Sequence, residues 1–347
     1  MEIVKSIAMR CGQAYVVKLN DGSLLELGDV FLPNENQYGT RPYRFHDFGA
    51  VSDANKRVMT IGTMVGCCGA CSFCSVRQTF RRKLTAPEIV GQVDFLIRAG
   101  SDFRRSADPR ASREFHVLYS RMGEPSFNMP NVLDSIRTLS RRYPHVKIGL
   151  STLGWRPGLD QLLDQIDLAK RIMLQFSAHG TDEIVRSRLL GVPTGAQLMS
   201  LAEVADFCRI FRGLNPRKVS LNFVLLQGVS YDFRSLRKFF RPEDVYIRLS
   251  PLNITDNSEQ AGLSGLLRET DVLQKKPVSS GELREVIRNL EESGFAYAYA
   301  PAIDEEIRHQ AACGQALETL RSKRLTTFEE QNLRLAENFR MEAAELQ

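Results

Sequence analysis

The 347-residue sequence has no apolar run approaching the roughly 20 residues that cross a bilayer, so no spanning helix is expected. Its N-terminus, "MEIVKSIAMRCGQAYVVKLNDGS", has no unbroken apolar core of the kind a signal peptide needs, and an intracellular, cytoplasmic protein is expected. There is no low-complexity tract, and 43% hydrophobic with 25% charged residues is ordinary globular composition. Strong charge of one sign is missing too: a net +5 neither demands a nucleic-acid partner nor excludes one. Cysteine is scarce, and the count of 7 is odd, which makes a poor disulfide framework in a compartment that keeps thiols reduced. What cysteine there is lies close together. Cys67, Cys68, Cys71 and Cys74 share one short loop, "VGCCGACSFC".

Around that loop the chain divides into three parts. Residues 1–57 read as a small β-rich segment, in which "AYVVKL" and "SLLELGDVFL" flank the hairpin signal "NDG", followed by a long Pro/Gly/Asn-rich loop. Residues 58–300 alternate strand-like and helix-like stretches. The strands are expected at Val58–Thr63, Phe115–Ser120, Val146–Ser151, Ile172–Ser177, Val219–Leu225, Val245–Ser250 and Phe295–Ala300. The helices are expected over "TAPEIVGQVDFLIRAG", with Thr85 and Glu88 as a capping box, and over Pro130–Arg142, Leu159–Ala169, Thr194–Arg212, Phe233–Phe240 and Gly281–Glu292. About six such units imply an α/β fold with parallel strands and right-handed crossovers, a partial (β/α)6 barrel. Residues 301–347 hold the loop with Cys313 and a polar, helix-prone tail.

In such a barrel the working residues gather at the C-terminal ends of the strands. The cysteine loop, "MGEP", "STLG", "SAHG" and "PLN" each follow a predicted strand. The spacing Cys67-x-x-x-Cys71-x-x-Cys74 puts three thiolates in one tight loop, whereas structural zinc usually takes two separated pairs. Three thiolates can hold three irons of a [4Fe–4S] cluster and leave the fourth open, a place suited to the amino and carboxylate groups of S-adenosylmethionine (SAM). Zinc and plain packing are the alternatives, and Cys68 is a spare.

This C-x-x-x-C-x-x-C loop after the first barrel strand resembles the radical SAM superfamily. Within it, "VGCCGACSFCSVRQTFRRKLTAPEIVGQV" resembles the RlmN/Cfr-type methyltransferases, and the likeness continues in order through "MGEPSFNMPNVLDSI", "IGLSTLGWRPGLDQL", "QFSAHGTDEIVRSRLLG", "VSLNFVLLQGVSYD", "IRLSPLN" and "AACGQA". The resemblance implies reductive cleavage of SAM at the cluster, with the electron from a donor such as flavodoxin or ferredoxin, and methylation of adenine carbons in ribosomal or transfer RNA. Carried over by residue, Gly123 and Glu124 receive the SAM amino group, Ser151 meets the ribose or carboxylate region, Ser177 and His179 line the adenosine site, and Asn253 holds the nucleoside. Cys313 becomes the cysteine that carries the methyl group to an unreactive ring carbon. The bland reading of each serine is strand-end capping, and of Cys313 a buried hydrophobe.

The resemblance fails at one step. The family has a second, resolving cysteine seven residues before its first cluster ligand; here that position is Thr60. A family glutamate in the strand after the hairpin aligns with Gly28, with Glu26 out of register, and the family's larger N-terminal accessory domain is reduced to the β-rich segment. Cys68 or Cys11 substitutes only if the fold brings it within disulfide reach of Cys313. The alternatives are a radical SAM enzyme using the 5′-deoxyadenosyl radical on a small molecule or peptide, and a non-catalytic RNA-binding relative. Arg77, Arg81, Arg82 and Lys83, with Phe80 among them, and the run Arg104–Arg113 are candidate RNA contacts or an ordinary solvated face.

Overall fold

The structure, a computed structural model, describes residues 1–9, 12–32, 56–100, 114–192, 194–195, 198–266, 280–300, 306 and 309–321. Three antiparallel strands lead, β1 (Glu2–Met9), β2 (Gly12–Lys18) and β3 (Leu24–Leu32). The predicted hairpin joins the last two: Gly22 takes φ +81°, and its N–H donates to Leu19 O at 2.9 Å. Strand β3 pairs antiparallel with β4 (Lys56–Gly62), Gly28 opposite Thr60. After β4 come a two-strand ribbon around the cysteine loop, β5 (Met64–Val65) and β6 (Arg82–Lys83), and then the remaining large-sheet strands β7 (Glu114–Met122), β8 (Lys147–Thr152), β9 (Ile172–Ser177), β10 (Val219–Leu225), β11 (Val245–Pro251) and β12 (Tyr297–Tyr299). From β4 through β7 to β12 every neighbour is parallel, and the sheet runs in the order β1-β2-β3-β4-β7-β8-β9-β10-β11-β12. β1 and β12 are its edges, so the parallel strands make a partial barrel.

The crossovers carry α1 (Ala86–Ala99), α2 (Met129–Arg142), α3 (Arg156–Leu163), α4 (Ile166–Ala169), α5 (Glu183–Leu190), α6 (Leu201–Leu214), α7 (Asp256–Gln260) and α8 (Ser280–Ser293); α9 (Gln315–Arg321) follows the Cys313 loop. Helix α1 begins at the expected Thr85–Glu88 capping box and ends at Gly100. Elsewhere boundaries differ from those read in the sequence. The stretch expected as one helix over Thr194–Arg212 starts only at Leu201, because Ser200 and Glu203 form a capping box there; α5, set by the Asp182 cap and Gly191 at φ +66°, went unread. Leu159–Ala169 is broken into α3 and α4. Phe233–Phe240 shrinks to a 3-10 turn at Ser235–Lys238, since Pro242 bars a helical residue before it and Phe233 and Phe240 are already buried by the turn. The Arg104–Arg113 run, Cys11 and the tail beyond Arg321 lie outside the described residues. No helix among the described residues is long and apolar enough to cross a membrane.

One buried ion pair ties the N-terminal strands to the barrel. Arg57 on β4 donates to both carboxylate oxygens of Asp29 on β3, at 3.0 and 2.6 Å, and to Leu96 O of α1 at 3.3 Å. Burial pushes the Asp29 carboxyl up while Arg57 pulls it down. Replacing Asp29 with alanine strands the guanidinium beneath α1 and is expected to cost about 3–5 kcal/mol, read as a lower urea midpoint with an unchanged slope.

Candidate functional site

The cysteine loop is closed by backbone contacts, with Cys67 and Cys71 buried and Cys68 and Cys74 half-buried. Gly66, at φ +73°, lies so near Thr79 that an added Cβ would stand 2.0 Å from its carbonyl oxygen. Gln78 N–H donates to Gly69 O at 2.8 Å, so the loop folds across itself. A Cβ added at Gly69 would stand 3.4 Å from Cys67 Sγ and 3.9 Å from Cys71 Sγ, and Gly69 N–H donates to Cys67 Sγ at 3.3 Å. Two sulfurs thus flank a position without a side chain, one already receiving an N–H. That fits thiolates on an iron–sulfur cluster, whose potential is set in part by hydrogen bonds to its sulfurs. Among the described residues no group of three His, Cys, Asp or Glu side chains is drawn together to hold a single ion. The Cys68 hydrogen bond and burial push the Cys67 thiol far up, burial does the same for Cys71, and burial raises Cys74 to about 11. Metal coordination reverses that preference, because a bound thiol is deprotonated outright.

Neighbouring elements pin the loop in place. Ser72 N–H donates to Leu189 O at 2.9 Å, and Gly191 ends α5 against Ala70. Asn257 Nδ2 donates to Cys74 O at 2.7 Å, and Thr255 Oγ1 to Phe73 O at 3.0 Å.

The residues expected around SAM lie at or just after the ends of the strands. Gly123, at φ +89°, packs on Met64 and accepts no Cβ, which would stand 2.7 Å from the Met64 Cβ. Glu124 is buried, and its carboxylate accepts from Ser126 N (2.9 Å), Ser126 Oγ (2.6 Å), Leu153 N (2.7 Å) and Thr152 Oγ1. It thereby links the loop after β7 to the loop after β8; Ser126 and Thr152 were not read in the sequence. Desolvation raises the Glu124 carboxyl, and these donors oppose it. Ser151 and Ser177 are half-buried; Ser151 Oγ accepts from Gln175 Nε2 at 3.1 Å. His179 sits at φ +59°, a strained conformation for a residue with a side chain, and its Nδ1 accepts from Val224 N at 3.1 Å. Burial, with Arg186 second, lowers its pKa to about 3, so the ring is neutral and carries its proton on Nε2. It meets Phe73 of the cysteine loop edge to face, ring centroids 4.8 Å apart. Asn253 is half-buried just beyond β11.

The chain's far end closes the site. Gly314, at φ +82°, stands against Ser75, where an added Cβ would be 1.8 Å from Oγ; Cys313 is therefore delivered beside the residue after Cys74. Two buried charges hold it there: Glu26, read in the sequence only as out of register, and Arg121, which went unread. Glu26 of β3, fully buried, accepts from the N–H groups of Gly314 and Leu317, each at 2.8 Å, and so caps α9 from the N-terminal strands. Arg121, the residue before "MGEP", pairs with Glu26 at 2.6 Å, donates to Ala311 O, and brings Nη1 to 3.9 Å from Cys313 Sγ. Burial disfavours the Arg121 charge, but Glu26, Cys313 and Glu306 more than offset it and its pKa is raised. Desolvation raises the Cys313 thiol, Arg121 opposes it, and the nearby Glu306 and Glu26 carboxylates add to the rise. Arg121 also fills the space beside Thr60: a Cβ at Gly28 would lie 2.6 Å from Thr60 Oγ1 and 3.4 Å from Arg121 Nη1. A charged residue inside "FHVLYSRM" and another inside "LLELGD" were the available signals.

No protein-family model matches the sequence. Curated relatives do. The chain is 29% identical over 231 residues to a probable dual-specificity RNA methyltransferase RlmN of Thermus thermophilus, covering 64% of this chain and 61% of that protein. It is 31% identical over 216 residues to a protein so named from Deinococcus deserti, covering 59% and 58%. The matches therefore span about three fifths of those relatives' length. Among solved structures, a radical SAM methyltransferase from Sphaerobacter thermophilus superposes with a TM-score of 0.68 over 90% of this chain and 80% of that one, at 22% identity, a likeness of fold. In sequence the chain is thus similar to proteins named RlmN, and in fold to a radical SAM methyltransferase, in keeping with the motif order and the partial barrel.

Proposed function

We propose that the protein is a radical SAM methyltransferase that binds a [4Fe–4S] cluster through Cys67, Cys71 and Cys74 and passes a one-carbon unit through Cys313 to an unreactive carbon, an RNA adenine. The observation that carries this reading is the seating of the Cys313–Gly314 turn against Ser75, beside the last proposed ligand, by Glu26 and Arg121. When bound, the reduced cluster supplies the electron that splits SAM. Gly123 and Glu124 take the SAM amino group, Ser151 the ribose or carboxylate, Ser177 and His179 the adenosine, and Asn253 the nucleoside. Glu124 is held rigid for this by Ser126, Thr152 and Leu153, with one donor on Oε2, and the neutral His179 offers Nε2–H. As its thiolate, which the neighbouring Arg121 favours, Cys313 would take the methyl group of a SAM molecule, breaking its S–CH3 bond and releasing S-adenosylhomocysteine. A cytoplasmic location and a flavodoxin- or ferredoxin-like donor go with this reading. The names of the relatives support RNA as the acceptor.

A second reading has one observation in its favour. Thr60 and the Arg121 guanidinium occupy the space beside Gly28 where the family resemblance calls for a resolving thiol. On that reading the scaffold turns the same SAM cleavage to another substrate, a small molecule or peptide.

Peptide mass spectrometry on anaerobically purified, cluster-loaded protein separates the two. A methyl group or an attached nucleotide on the Cys313 peptide is the expected result. Protein that yields 5′-deoxyadenosine from SAM while Cys313 stays unmodified would sink the methyl-transfer reading.

A further inference from the structure

Three aromatic rings stand in a row on the rim of the site. Phe80 follows the cysteine loop after β4, Phe127 follows "GEPS" after β7, and Trp155 follows "STLG" after β8. Ring centroids lie 6.3 Å apart for Phe80–Phe127 and 4.9 Å apart for Phe127–Trp155. Phe80 is 41% exposed, and the other two are half-buried. Lys83 Nζ lies over the Phe127 ring, 5.0 Å from its centroid. The row adjoins the proposed cofactor site, because Lys83 pairs across the ribbon with Met64, the residue packed on Gly123.

The charges beside the rings are sorted. Arg82 is spent internally, on Asp21 at 2.7 Å and on both oxygens of Glu88 at 2.9 and 2.8 Å. Arg81 and Lys83, exposed on either side of it, and Arg77, half-buried in the loop, have no carboxylate partner among the described residues. Cations with no carboxylate partner interleaved with rings are what a single strand of nucleic acid needs. The bases stack on π faces, the phosphates meet Lys and Arg, and sequence is read little.

We propose that Phe80, Phe127 and Trp155, with Arg81 and Lys83, form a stacking platform that holds single-stranded RNA flanking the reacting nucleotide. This deepens the RNA reading above and rests on it. A duplex buries its base faces and leaves the rings nothing to stack on, so single strands are the preferred form.

The test is fluorescence anisotropy with a short single-stranded RNA and the cluster-loaded protein, across a range of salt. Phe80→Ala is expected to weaken binding about tenfold, the loss of roughly one stacked base. Lys83→Ala is expected to lower the salt slope by about one. The exposed Ile210→Ala on α6 serves as control and binds like the parent chain. Phe80 and Lys83 are exposed, so equal iron content and equal melting temperature are expected for both variants. RNA binding that neither variant alters overturns the platform and leaves the RNA reading standing. Absence of any RNA binding by the parent chain overturns both. An acidic peptide that binds as tightly, and is lost in Phe80→Ala, would reassign the platform to a peptide partner.

Discussion

Replacing Arg121 with methionine is expected to destabilise the protein by about 3–5 kcal/mol, because it leaves the fully buried Glu26 carboxylate without its cation. Glu26→Leu should cost a similar amount by stranding Arg121, and it also removes the acceptor for Gly314 and Leu317 N–H. The double variant is the decisive measurement. A buried pair that mainly offsets its own desolvation can be replaced together at far less than the sum of the single costs. Stability should therefore largely return in Glu26→Leu with Arg121→Met, while the Cys313 loop stays unpinned for want of its carboxylate. Urea denaturation reads the first effect, and protease cleavage before α9 reads the second. Single substitutions that cost under about 1 kcal/mol, or a double equal to their sum, would show that the pair does not hold this loop.

The second large effect concerns the cluster. Cys71→Ser is expected to abolish it, with loss of bound iron, of visible iron–sulfur absorbance and of 5′-deoxyadenosine formation to baseline. Cys71 is buried and its thiol resists ionisation, so without a bound metal there is no force that keeps a thiolate at that spot. Cys68→Ser is the matched control. Cys68 is half-buried in the same loop, hydrogen-bonded to Cys67, and lies outside the C-x-x-x-C-x-x-C spacing. It should retain iron and SAM cleavage near the parent level. Iron loss in Cys68→Ser alone, with Cys71→Ser still loaded, would reassign the ligands.

Much of the architecture was legible because its signals are local. The "NDG" hairpin depends on one glycine at positive φ, α1 on a capping box three residues long, and the parallel strands on short apolar runs in alternation with helices. The misread crossovers failed for reasons equally local but competing: Ser200–Glu203 outweighs the apolar pattern before it, and Pro242 curtails the turn after Phe233. The candidate site was legible wherever a motif follows a strand, since the barrel brings all strand ends to one face.

What the sequence by itself determined is therefore the order of elements, the cysteine spacing and the family resemblance, all of which act over a few residues or repeat along the chain. What only the tertiary structure decided is how β3 meets the Cys313 loop. Glu26 and Gly314 are separated by 288 positions, and neither lies in a pattern that names its partner. The antiparallel register that sets Gly28 against Thr60 turns Glu26 toward the site, and Arg121 meets it only because β4 and β7 lie side by side. The Phe80–Phe127–Trp155 row arises the same way, one ring from each of three successive strand ends. Buried charge pairs and edge-to-face ring contacts are long-range choices, made where the backbone has already fixed which residues can touch.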